Sequence, residues 1–135
     1  MPKVKVSIFF AGNHIPHTDI AAKIGILPTQ VRKKEDWPLA SVLAGIAQDA
    51  LVFSTDKAEC TAVSTQLDEI QIMFTPKIGT IQSLIKSYAL SVNIIVMVEA
   101  ELGEYPELVL TRENIDFLSS IHAEIGFDLY INDST

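Results

Sequence analysis

The chain has 135 residues, of which 48% are hydrophobic and 20% charged, with a formal net charge of −7. Apolar content of that order offsets the entropy of ordering the backbone, so disorder is excluded and one α+β domain over residues 1–135 is expected. The acidic balance argues against nucleic acid, whose phosphates need clustered Lys and Arg. No apolar run nears the roughly 20 residues that cross a bilayer, which argues against a membrane partner.

Residues 3–10 alternate: Val4, Val6, Ile8 and Phe10 share one face, and Lys3, Lys5, Ser7 and Phe9 the other, which predicts a half-buried strand. No secretion signal precedes it, and the single cysteine, Cys60, has no partner for a disulfide. A reducing, cytoplasmic setting is therefore expected, with Cys60 an ordinary thiol. A turn-rich connection over 11–16 leads to a short helix capped by Thr18, buried through Ile20, Ala21 and Ile24, and stopped by Gly25. Residues 28–37 read as an irregular polar segment. Over 38–49 the helical face Leu39, Val42, Leu43 and Ile46 competes with Gly45, so helix, strand and loop stay open.

A strand is predicted over 50–54. Val63, Leu67, Ile70 and Phe74 then form one helical stripe, and Thr75-Pro76 starts a second helix with Ile78, Ile81, Ile85 and Tyr88 on its face. Residues 91–99 are the strongest strand, with Val92, Ile94, Val96 and Val98 opposed to Asn93, Ile95 and Met97. An acidic turn over 99–107 and a short strand over 108–110 precede a helix capped by Thr111. Ile115, Leu118, Ile121 and Ile125 are expected inward on that helix, and Gly126 ends it. The last strand covers 127–132, with Phe127, Leu129 and Ile131 on one face and Asp128, Tyr130 and Asn132 on the other.

Alternating strands imply a sheet covered on one face, mostly antiparallel or mixed, with helices packed on that side: a two-layer α+β sandwich. Residues 18–25 echo residues 120–126, which raises a duplicated strand–helix unit. The run Asp19-Ile20-Ala21-Ala22-Lys23-Ile24-Gly25-Ile26-Leu27-Pro28-Thr29, with bases at Arg32, Lys33 and Lys34, resembles the "I-x-x-x-L-G-I-x-P-T, then Lys-Gly-Asp" segment of the bacterial domain of unknown function 4279. Residues 115–130, with Asp128-Leu129-Tyr130, resemble that family's closing helix and strand. Glu35 stands where the family often has Gly. The resemblance covers nearly the whole chain and implies no activity.

The residues supply no HExxH or CxxC pattern, no GxSxG nucleophile elbow and no glycine-rich phosphate loop. No catalytic residue, metal site or cofactor is assigned, although a site assembled from distant residues stays open, so an enzyme is the less favoured class. His14 and His17, separated by Ile15 and Pro16, are a weak metal pair. Arg32, Lys33, Lys34 and Trp37 combine anion donors with an aromatic anchor; in the competing reading Trp37 folds over the core and the charges stay solvated. Phe9, Ile95, Met97 and Tyr130 share the outer sheet face, which either meets a partner or is covered by residues 38–49.

The charge is also uneven. Residues 99–133 hold nine acids and one base, whereas residues 1–36 hold six bases and three acids. The expected function is a non-enzymatic protein-interaction module, as a homodimer through the sheet face or as an immunity-type inhibitor of a basic protein partner. A small enzyme or ligand-binding domain with a pocket near His14, His17 and Trp37 is the alternative.

Overall fold

The computed structural model describes residues 1–45 and 47–133. The two strongest alternating segments become its central strands, β1 (Lys3–Gly12) and, later in the chain, β5 (Ser91–Glu101). Every even-numbered side chain along both is buried, and the two pair antiparallel. Around them the sheet is completed by β2 (Gln30–Arg32), β3 (Asp49–Ser54), β4 (Ala58–Glu59) and β6 (Ala123–Asn132). The order is β2-β3-β1-β5-β6, with β4 beside the start of β1. These strands pair antiparallel except β6, which runs parallel to β5.

The helices are α1 (His17–Ile24), α2 (Leu39–Leu43), α3 (Val63–Phe74), α4 (Ile78–Tyr88) and α5 (Arg112–Ser120). Apart from α2, each buries a stripe against the same sheet face. Val4, Val6, Ile8 and Phe10 of β1, Leu51 and Phe53 of β3, and Val92, Ile94, Val96 and Val98 of β5 meet Ile20, Ile24, Leu67, Ile70, Phe74, Ile81 and Phe117 in one core. Phe10, Phe53 and Phe74 interlock there, with ring centroids 5.1–5.8 Å apart and two of the three pairs edge-on, the geometry that the aromatic quadrupole favours. The result is a two-layer α+β sandwich with a mixed sheet and helices on one face.

Several boundaries differ from the sequence expectation, each for a local reason. α1 starts at His17, with Pro16 rather than Thr18 as its cap; Gly25 ends it in the left-handed region at φ 75°. The segment 28–37 is not irregular throughout. It holds β2, whose three pairs with β3 begin at Gln30↔Val52, and a one-turn 3-10 helix at Lys34–Asp36. All three β2 side chains are exposed, so no apolar alternation marked it. In 38–49 only five residues are helical before Gly45 turns the chain at φ 74°. Ile46, part of the predicted stripe, lies outside the described residues.

Residues 108–110 form no strand. Glu107 bridges to Ala62 instead, donating its N–H to the Thr61 carbonyl and accepting from Val63 N–H. α5 stops at Ser120, because His122 takes a left-handed turn at φ 52°, and Ile125 lies in β6 beside Ile94. Ile115 is exposed, and the buried side of α5 is Asn114, Phe117 and Leu118. The echo between 18–25 and 120–126 therefore joins a helix to a turn and a strand, and no duplicated unit results.

Candidate functional site

The sheet face away from the helices carries the odd-numbered residues of β1 and β5 and the even-numbered residues of β6. Register fixes their neighbours: Lys5 stands opposite Met97, Ser7 opposite Ile95, Phe9 opposite Asn93, and Tyr130 opposite Glu99. Phe9, Ile95 and Met97 are thereby contiguous and half-buried, and Tyr130 is 57% exposed at their flank. Gly126 faces Ile95, and a Cβ there would come within 3.3 Å of Ile95 Cδ1, so the missing side chain gives Ile95 room. No helix of the core layer crosses this face, and the short α2 leaves Leu39 and Leu43 largely exposed.

Charge divides the face. Lys3 and Lys5 lie on β1 and Arg32 on β2, with the Arg32 guanidinium 5.2 Å from the Phe9 ring centre. That cation–π contact contributes about 0.5–1 kcal/mol at an exposed site. Glu99 and Glu101 on β5, and Glu124 and Asp128 on β6, form the acidic side. Lys57 pairs with Glu99, and that hydrogen bond, helped by the lesser charge effects of Lys57 and Lys3, outweighs desolvation and holds the Glu99 carboxyl below its ordinary range.

The last strand adds an edge that the sequence pattern did not reveal. Phe127, Leu129 and Ile131 face the helix side, opposite Val96, Val98 and Ala100. The core layer reaches only Ala123 and Ile125, so these three side chains are 40%, 52% and 37% exposed. Alternation gave their shared face, but their exposure follows from the strand order, which puts β6 at the border of the sheet beside a helix much shorter than itself.

The basic segment separates rather than converges. Arg32 turns to Phe9, and Lys34 donates through Nζ to Asn13 Oδ1 and His14 Nε2, each at 3.1 Å. Lys33 lies between two open clefts. One, of about 360 Å³, includes Arg32, Asp36 and the half-buried Trp37; the other, of about 570 Å³, includes His14, His17, Glu35 and Asp49. Trp37 is not part of the core cluster. His17 donates to the Arg32 carbonyl at 3.1 Å. Asp49 is buried and binds this end together: its carboxylate accepts from Ile15 N–H at 3.0 Å and Lys34 N–H at 2.8 Å. Sequence reasoning missed Asp49, because nothing local marks an acid whose partners come from two other loops.

Among the described residues, no three His, Cys, Asp or Glu side chains converge as a metal-binding group, and no helix is long and apolar enough to cross a membrane. Cys60 is buried, its thiol donating to the Ala62 carbonyl at 2.6 Å. The model of the family "Domain of unknown function (DUF4279)" matches residues 2–132. No curated protein and no solved structure matches the chain.

Proposed function

The chain belongs to the DUF4279 family, and from the geometry of its sheet we propose that it is a non-enzymatic protein-interaction module that seats a protein partner on the open sheet face. The observation that carries this reading is the contiguous array of Phe9, Ile95, Met97 and Tyr130 on a face without helices. The 40 residues of β2, β3, β1, β5 and β6, at about 3.3 Å per residue and about 4.8 Å between strands, give a face of about 630 Å², somewhat below the ~800 Å² per partner of a standard-size interface. The acids on β5 and β6 favour a partner with a basic contact surface, as an immunity-type inhibitor in the cytoplasm would meet, and association would be fast and weakened by salt.

The test is photo-crosslinking in the native host, with the crosslinker placed at Tyr130 or, as control, at the exposed Ile72 of α3. A specific protein captured at Tyr130, absent at Ile72, lost in Ile95→Lys and carrying a basic contact surface is the expected result. The same products at both positions, or none at Tyr130, would overturn the reading.

Opposed charges support a second reading, a homodimer. A two-fold axis along the strands lays Glu124 and Asp128 of one copy over the Arg32 side of the other. Light scattering on the purified protein decides it, because a monomer at high protein concentration removes the dimer.

A further inference from the structure

The two borders of the sheet are unlike each other. β2 is three residues long, ends in Arg32 with Lys33 next, and is too short to template another strand. β6 is ten residues long, roughly 33 Å of strand, and among the described residues no strand pairs with its outer side. It contains no Lys, no Pro and no short span to guard it, and its charged residues are the two acids Glu124 and Asp128. Its helix-side residues Phe127, Leu129 and Ile131 are solvent-exposed although their strand neighbours are core.

The charges indicate what can pair there. Glu124 and Asp128 both project to the outer face, four residues apart on one side of the strand. In any antiparallel self-register that uses most of β6, an acid lies opposite or diagonal to an acid of the second copy, which disfavours pairing of β6 with itself. An incoming strand with Lys or Arg at those positions gains what a second copy loses.

We propose that β6 accepts an extended basic segment of a protein partner as an added antiparallel strand, with cationic side chains against Glu124 and Asp128 and apolar ones against Phe127, Leu129 and Ile131. Main-chain hydrogen bonds supply affinity, and the two faces of the strand supply selectivity. This deepens the interaction reading, on which it rests, by naming the mode and chemistry of contact.

The probe is a capped synthetic strand peptide with Val at alternate positions and two Lys four residues apart on the other face. Amide exchange and backbone chemical shifts of the full chain are followed by NMR. Alternate β6 amides should gain protection, and affinity should fall as salt rises. In the double variant Glu124→Lys with Asp128→Lys, binding should weaken about tenfold, and a Glu version of the peptide should bind in its place. Both sites are on the surface, so fold is retained, which the unchanged core shifts would verify.

Equal binding of a neutral peptide, or β6 protection that grows with protein concentration alone, overturns the proposal. So does an absence of β6 protection. Shifts confined to Phe9, Ile95 and Met97 overturn edge pairing yet leave the sheet-face module standing, and crosslinking at Tyr130 against Ile72 decides that module separately.

Discussion

Asp49 brings a carboxylate into a site that is only 6% exposed, and two backbone N–H groups from different loops depend on it. Asp49→Ala leaves both donors without their acceptor and should cost about 2–4 kcal/mol, read from the urea midpoint at constant slope. Asp49→Asn keeps one oxygen and should lose about half as much. At the opposite end of the sheet Lys57 lowers the proton affinity of Glu99. A carboxyl with a depressed folded-state value stabilises the fold above its unfolded value, and that contribution disappears as pH falls through the lowered one. Lys57→Ala should therefore raise the Glu99 titration midpoint toward the ordinary carboxylate range, as followed by side-chain carbonyl NMR. It should also flatten the pH dependence of stability on the acid side.

α5 shows how much of an element could be read from its letters. Thr111 was legible as its cap, and the structure completes a capping box: Asn114 N–H donates to Thr111 Oγ1, and Asn114 Oδ1 accepts from Thr111 N–H. The buried stripe was legible at Leu118 and Ile121 but not in the first turn, where apolarity points to Ile115 while the buried position belongs to Asn114, 0% exposed, whose Nδ2 donates to Asp68 Oδ1 and Gln71 Oε1 on α3. Polar burial that is satisfied by another helix leaves no periodic trace. Asn114→Ala should cost about 2–3 kcal/mol, whereas Ile115→Lys should stay within about 0.5 kcal/mol in thermal or chemical unfolding. β1, β5 and α3 were readable because one-sided burial writes itself as period two or period 3.6. β2 was not, since a short exposed border strand has no covered side. Of the candidate site, the shared face of Phe9, Ile95, Met97 and Tyr130 was legible, but the arrival of Arg32 over Phe9 and the bare border at β6 depend on strand order.

At the scale of the whole molecule, the helix layer and the open sheet face lie on opposite sides of one sheet. Tyr130 is 57% exposed and outside the core, so Tyr130→Ala should change stability by less than about 0.5 kcal/mol, while the proposed function predicts that partner association is lost; calorimetry and a binding assay can measure both on the same sample. The same sheet sets the order in which the protein can be completed. β1 is the first strand in the chain and sits in the middle, yet it pairs with β3 and β5, which begin at Asp49 and Ser91. Contacts between such remote segments slow folding, so refolding in milliseconds to seconds is expected by stopped-flow fluorescence of Trp37. On a ribosome adding about 5–20 residues per second, Val4, Val6, Ile8 and Phe10 wait several seconds for the strand that completes their cover. During that interval the nascent chain displays an apolar strand face without its cover, and shielding by a chaperone would raise the yield of native protein.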